Sequence, residues 1–105
     1  MREGSVVRID VVASGKVGRV GVVVRLARIH GADAALIAWA TPTFHPELVR
    51  MEVEPREPAG LALGLEAPAY FYARNTWVGA VGMVTVRGAV PPYLLAALRA
   101  LLAYR

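Results

Sequence analysis

The chain contains no cysteine. That rules out disulfides, thiolate metal ligands and a cysteine nucleophile, so folding must rest on packing alone. Lysine is nearly missing too: Lys16 is the one Lys among twelve basic residues, the other eleven being Arg. No apolar run reaches the roughly 18 residues that a bilayer span needs, and the longest, residues 94–102, is broken by Arg99. Residues 1–4 place Arg and Glu directly before a strand pattern, unlike a secretory signal. His30 and His45 stand fifteen residues apart, too few and too isolated to argue for zinc. A Gly-rich phosphate loop ahead of a helix and a nucleophile elbow are also missing. These absences point to a cytoplasmic protein with no membrane anchor, metal or cofactor.

What is present is a short, apolar, basic chain. Its 105 residues suffice for one domain, residues 1–105, around one core. Hydrophobic residues make up 56% of it, and mean hydropathy is +0.46. A lone domain of this size buries only roughly 60% of its unfolded surface, so some apolar surface is expected to face a second copy in a homodimer. The net charge is +4, and the sequence pI is about 10.1. Arg presents a planar fork of donors suited to phosphate, which favours an anionic partner. A compositional bias towards Ala, Val, Gly and Arg explains the preference for Arg over Lys equally well.

Residues 5–12 form a β-branched run that reads as a strand, followed by a tight turn at 13–16. The next strand spans roughly 17–26, and its VGVVVRL core is apolar on both faces, hence buried on both. Residues 27–34 read as a turn, and 34–40 as a third strand halted by Thr41-Pro42. Five of the seven prolines lie between 42 and 68. Within that stretch, residues 48–54 alternate apolar and charged, the signature of a half-exposed strand. Residues 56–67 read as loop, with strands at 69–73 and 82–88. Behind Pro91-Pro92, a Leu- and Ala-rich helix at about 92–103 carries Leu94, Leu98, Leu101 and Leu102 as one stripe. It is apolar nearly all round and is expected to be covered on several sides. The expected class is mainly β (α+β), a strongly bent antiparallel sheet or barrel capped by a C-terminal helix.

Three places bear on chemistry. Glu52 and Glu54 share one face of a strand, as an acid/base pair or simply as solvated carboxylates. Arg74, Asn75, Thr76 and Trp77 follow the 69–73 strand. Arg19 opens the second strand and Thr41 ends the third. If the first three strands are neighbours, Arg19 and Thr41 approach each other at one sheet edge, where a guanidinium and a hydroxyl would make a phosphate site. A surface Arg and a turn Thr is the other reading.

Several fragments, in order along the chain, resemble MazF/PemK-type toxins. They are Gly4-Ser5-Val6-Val7 opening the first strand, Arg19-Val20 ahead of a Val run, and Ala38-Trp39-Ala40-Thr41-Pro42-Thr43. Further on come Gly64-Leu65 with Tyr70, and Val86-Arg87-Gly88 before the Leu-rich helix. The chain departs from the family pattern at Ser5, Val20 and Arg25, and its 13–16 loop is short. The resemblance implies an SH3-like barrel of about six antiparallel strands with a C-terminal helix. It further implies a homodimer that cuts single-stranded RNA without a metal by 2′-hydroxyl attack, and is neutralised by an antitoxin protein. By that resemblance Arg19 and Thr41 are the catalytic residues. Thr43, Phe44, Arg50, Arg74 and Arg87 would contact RNA, with Trp39 available for stacking. Two other functions stay open: a catalytically inactive SH3-like module binding nucleic acid or protein, and a gyrase-poisoning toxin of the CcdB kind that works through residues 103–105.

Overall fold

The computed structural model describes residues 1–9 and 19–103. The end of the first expected strand (10–12), the 13–16 turn and residues 17–18 lie outside them, as do Tyr104 and Arg105. The elements are β1 (Ser5–Ile9), β2 (Val20–Ile29), β3 (Ala32–Trp39), β4 (Arg50–Val53), α1 (Pro58–Leu63), β5 (Ala69–Tyr72), β6 (Thr76–Ala80), a 3-10 turn (Val81–Met83), β7 (Val84–Ala89) and α2 (Pro92–Ala103). Five strands form one sheet in the order β6-β3-β2-β1-β7, while β4 and β5 pair separately. All pairings are antiparallel.

The expected SH3-like barrel does not form. The described residues form an α+β domain with seven strands in two open sheets. A barrel closes only when its last strand pairs with its first. Here the edge strands β6 and β7 are consecutive, joined by the short Val81–Met83 turn. Yet β6 is paired to β3 and β7 to β1, with no ladder between them among the described residues. The proline-rich stretch after Thr41 carries the chain out of the sheet plane, so β4 and β5 cover one face instead of extending it.

The central strand shows why. Val22, Val23 and Val24 are all buried, as their pattern implies. Val22 and Val24 pack with Val6, Ala38, Val53, Phe71, Ala59, Leu63, Leu94 and Leu98, a core built under both helices and the small sheet. Val23 packs on the opposite face with Val7, Ile9, Ile37 and Trp39, closed over by Trp77 and Val81. A bulge between Val23 and Arg25 marks where this double burial ends on β2. Beyond it β2 is exposed, whereas Ala34 and Ala35 of β3 stay buried beside β6, so only the 28–33 tip is exposed on both strands.

Four elements differ from the sequence expectation. Residues 27–34 are not a long turn: β2 runs to Ile29 and β3 starts at Ala32, leaving only His30 and Gly31 between them. Both have positive φ, 51° and 79°, the backbone of a two-residue type I′ hairpin. Residues 76–80 form a strand, legible only through its pairing with β3. Within the expected 56–67 loop lies α1, opened by Pro58 and closed by Gly64 in the left-handed conformation. Helix α2 is covered on one face rather than several: Leu94, Leu98 and Leu101 are buried, but Ala96, Arg99, Ala100 and Ala103 are exposed. Arg99 donates to Glu3 Oε1 at 2.6 Å and to the Val24 carbonyl at 3.2 Å, pinning α2 to the bulge. Among the described residues, no helix is long and apolar enough to cross a membrane.

Helix α1 seats directly on the chain leaving β4. A Cβ added at Gly60 would lie 1.9 Å from the Glu54 carbonyl oxygen. Tyr93 of α2 steadies the helix: its hydroxyl accepts from the Ala59 N–H at 3.1 Å and donates to Glu57 Oε1 at 3.2 Å. Gly60→Ala should therefore lower unfolding free energy by about 1–3 kcal/mol, the range for a forced backbone shift in a packed site. Denaturant unfolding measures this, and an unchanged midpoint would contradict the packing described.

Candidate functional site

Antiparallel register builds the site. Gly21 of β2 faces Trp39 of β3, so continuing that ladder by two residues sets Arg19 opposite Thr41. The Ala40 N–H donates to the Val20 carbonyl at 3.0 Å, which carries the pairing past the end of β3. Thr41 then makes a bridge to β5: its N–H donates to the Tyr70 carbonyl at 3.0 Å, and Tyr70 N–H donates to its carbonyl at 2.8 Å. With both backbone groups used and only 8% of its surface exposed, Thr41 is held rigidly. Its hydroxyl oxygen accepts from the Thr43 N–H at 3.2 Å, which leaves the hydroxyl proton available to donate.

Arg19, Thr41 and Thr43 form a ridge between two clefts. On one side is a cleft of about 480 Å³ with apolar walls from Leu65, Ala67 and Pro68. On the other is a polar cleft of about 320 Å³, completed by His45, Leu48, Tyr72, Arg74 and Asn75. Arg74 reaches it because Asn75 locks the turn after β5: the Asn75 side-chain amide donates to the Trp39 carbonyl at 3.1 Å, and the Asn75 backbone carbonyl accepts from the Trp39 N–H at 2.9 Å. Tyr72 fastens the opposite wall. Its buried hydroxyl accepts from His45 N–H at 2.7 Å and donates to the Thr43 carbonyl at 2.8 Å. The His45 ring stands edge-on to Tyr72, with Nδ1 3.4 Å from Glu47 Oε1, and a neighbouring carboxylate orients an imidazole. Two arginines, two threonines, a tyrosine and a histidine thus line one small space whose lining contains no carboxylate.

The expected site residues divide cleanly. Arg19, Thr41, Thr43 and Arg74 come together. Phe44 and Arg50 sit next to them, stacked with the Arg50 guanidinium 4.3 Å from the Phe44 ring centroid. Arg87 lies on the edge strand β7 and lines neither cleft. Trp39 is 0% exposed, in the core of the opposite sheet face, so no base can stack on it. Residues missed in sequence are His45 and Tyr72; Asn75 was singled out with Arg74 but without a role. His45 reads as isolated because its hydrogen-bond and ring partner, Tyr72, is 27 residues away. The one local sign was Glu47 two positions on. Residues 104–105, needed for the gyrase-poisoning reading, lie outside the described residues. Groups of three or more metal-ligating side chains do not occur among the described residues.

The acidic pair on β4 is exposed but not independent. Glu54 has its pKa raised from the ordinary 4.5 by a hydrogen bond with Glu52, with partial desolvation and repulsion from Glu52 and Glu57 adding to it. Tyr70 is likewise raised, by partial burial and then by hydrogen bonding to Glu52.

Comparison with known proteins gives no match: no family model fits the chain, no curated protein is significantly similar in sequence, and no solved structure is significantly similar in fold.

Two measurements check this geometry. Tyr72→Phe leaves the His45 N–H without its buried acceptor and should cost about 1–3 kcal/mol of stability. For Glu54, a raised native pKa means that stability is fully present below the ordinary carboxylate range and is lost as pH rises through the native value. Glu54→Gln should therefore match the native protein in acid and be slightly more stable near neutrality. A variant that is less stable at pH 7 would contradict the repulsion.

Proposed function

We propose that this chain is an endoribonuclease that cleaves single-stranded RNA without a metal, using the RNA's own 2′-hydroxyl as nucleophile. The observation that carries this reading is the convergence of Arg19, Arg74, Thr41, Thr43 and His45 on one cleft. Cations with hydroxyl donors complement a phosphodiester, and cleavage by an internal nucleophile asks the protein only to orient, neutralise and move protons.

In this mechanism Arg19 and Arg74 bracket the scissile phosphate, and the Thr41 hydroxyl donates a hydrogen bond to a phosphoryl oxygen. His45, oriented by Glu47, removes the 2′-hydroxyl proton. The O2′–P bond forms and the P–O5′ bond breaks, giving a 2′,3′-cyclic phosphate. The departing 5′-oxygen takes its proton from water in the open cleft. Charge builds on the phosphoryl oxygens between Arg19 and Thr41, and each donor aimed at such charge is worth roughly 3–4 kcal/mol. The apolar cleft beyond the ridge accommodates a neighbouring base. On the same reading, an acidic extended antitoxin segment competes with RNA for the basic cleft, and the working unit is a homodimer.

Purified protein should cut single-stranded RNA in EDTA, leaving 5′-hydroxyl ends. A 2′-deoxy substitution at the scissile nucleotide should block cutting but not binding. Arg19→Ala should lower kcat by about 100-fold or more, with His45→Ala comparably impaired and both variants folded. Uncut RNA with the native protein would overturn the proposal. Retention of that RNA, weakening steeply with salt, would instead identify a binding module.

A further inference from the structure

We infer that the outer face of the β4–β5 sheet is a nucleobase subsite that selects guanine, with Arg50 and Phe44 as the stacking surface and Glu52 as the reader of the base edge. This inference rests on the RNA reading above and adds to it the identity of the base beside the bound phosphate.

Register defines the face. Arg50 pairs with Tyr72 and Glu52 with Tyr70, whereas Met51 and Val53 pair with Phe71 and Ala69. Strand alternation sends the second set into the core, where Val53, Phe71 and Ala69 are buried, and the first set outward. Phe44 folds back over this outer face, its ring 5.4 Å from Tyr70, while Tyr70 and Tyr72 stack on each other at 6.4 Å. Phe44 is 49% exposed, an unusual state for a Phe that has neighbours on which to pack. Arg50 covers one side of it and is tethered by donating to the Leu48 carbonyl at 3.3 Å. An unpaired base stacks readily on an aromatic ring or on a guanidinium plane.

Beside the stack opens a third cleft, of about 390 Å³, bounded by Phe44, Leu48, Val49, Arg50 and Glu52. Leu48 lines both this cleft and the phosphate cleft. Phe44 stands in sequence between Thr43 and His45, which line the latter. The two spaces are therefore adjacent, and a base here belongs to a nucleotide next to the phosphate held by Arg19.

Glu52 decides which base. A carboxylate only accepts hydrogen bonds. On its Watson–Crick edge guanine alone presents two adjacent donors, N1–H and the 2-amino group, that a carboxylate can accept together. Cytosine and adenine offer one amino donor beside an acceptor nitrogen, which the second carboxylate oxygen would repel. Uracil offers one donor between two carbonyls. Arg50, at the same rim, can donate to the guanine O6.

Binding is measured by fluorescence anisotropy with short single-stranded oligoribonucleotides carrying 2′-deoxy at the scissile position, identical but for one base. A guanine at the subsite position should bind about tenfold or more tightly than adenine, cytosine or uracil, with inosine, which lacks the 2-amino group, in between. Glu52→Gln should erase this preference, bringing the affinity for the guanine oligonucleotide down to that of the other three. Phe44→Ala should weaken binding of all sequences about tenfold, and Phe44→Trp should restore it. RNA that is cut with no base discrimination, or with a guanine preference untouched by Glu52→Gln, would overturn the subsite and leave the nuclease standing. Guanine-dependent, Glu52-dependent binding without any cutting would sustain the subsite and overturn the nuclease. No binding of any oligonucleotide would overturn both.

Discussion

Two hydrogen bonds between Thr41 and Tyr70 hold the two sheets together at the point where chemistry is possible. Thr41 is the first residue past Ala40 at the end of β3, and Tyr70 lies near the start of β5. Theirs is the one isolated bridge among the described residues. Because the bond is made entirely by backbone, it leaves the Thr41 hydroxyl free to act and turns the Tyr70 ring to the outer face of the small sheet. A side-chain contact in the same place would have used up one of those groups. Backbone hydrogen bonds of this kind contribute only about 1 kcal/mol each to stability. Their value here is directional: they set which residues of two otherwise separate sheets can meet one ligand.

The open sheet follows from the same geometry. A strand buried on both faces needs a cover on each, and the chain supplies two different ones. Helices α1 and α2 and the β4–β5 sheet lie over Val6, Val22 and Val24, while Trp39, Trp77 and Val81 fill the other side. Once β4 and β5 serve as a cover they are no longer available to close a barrel. What the domain loses in closure it gains in a seam, where the cover meets the end of β3, and the two clefts that share Arg19, Thr41 and Thr43 open along that seam.

Charge is arranged along it as well. Arg19 and Arg74 stand at the phosphate end, and Glu52 and Glu54 at the far end of β4. Across this short surface the polarity reverses, with aromatic rings between. The net charge of +4 would draw a polyanion in, and the acidic end, repellent to phosphate, suits a base edge. A single-stranded nucleic acid presents those two surfaces alternately.

Sequence alone was enough for the strands rich in valine, their order in the first hairpins, and the C-terminal helix with its buried Leu94, Leu98 and Leu101. Each of these depends on local preference or on antiparallel register, which are properties of neighbouring residues. It was insufficient for β6, where strand-favouring Thr-Trp-Val is only three residues long before Gly79 and the pairing with β3 completes the strand, and for α1, too short to show a period. Only the family resemblance offered Trp39 for stacking, and the fold buries it. Residues far apart in the chain decided the rest: Tyr72 reaching back to His45, Asn75 to Trp39 and Tyr70 to Thr41. Whether a sheet closes, which face receives a cover, and which loop residues share a cleft are fixed by contacts at long sequence separation, and no window of consecutive residues contains both partners.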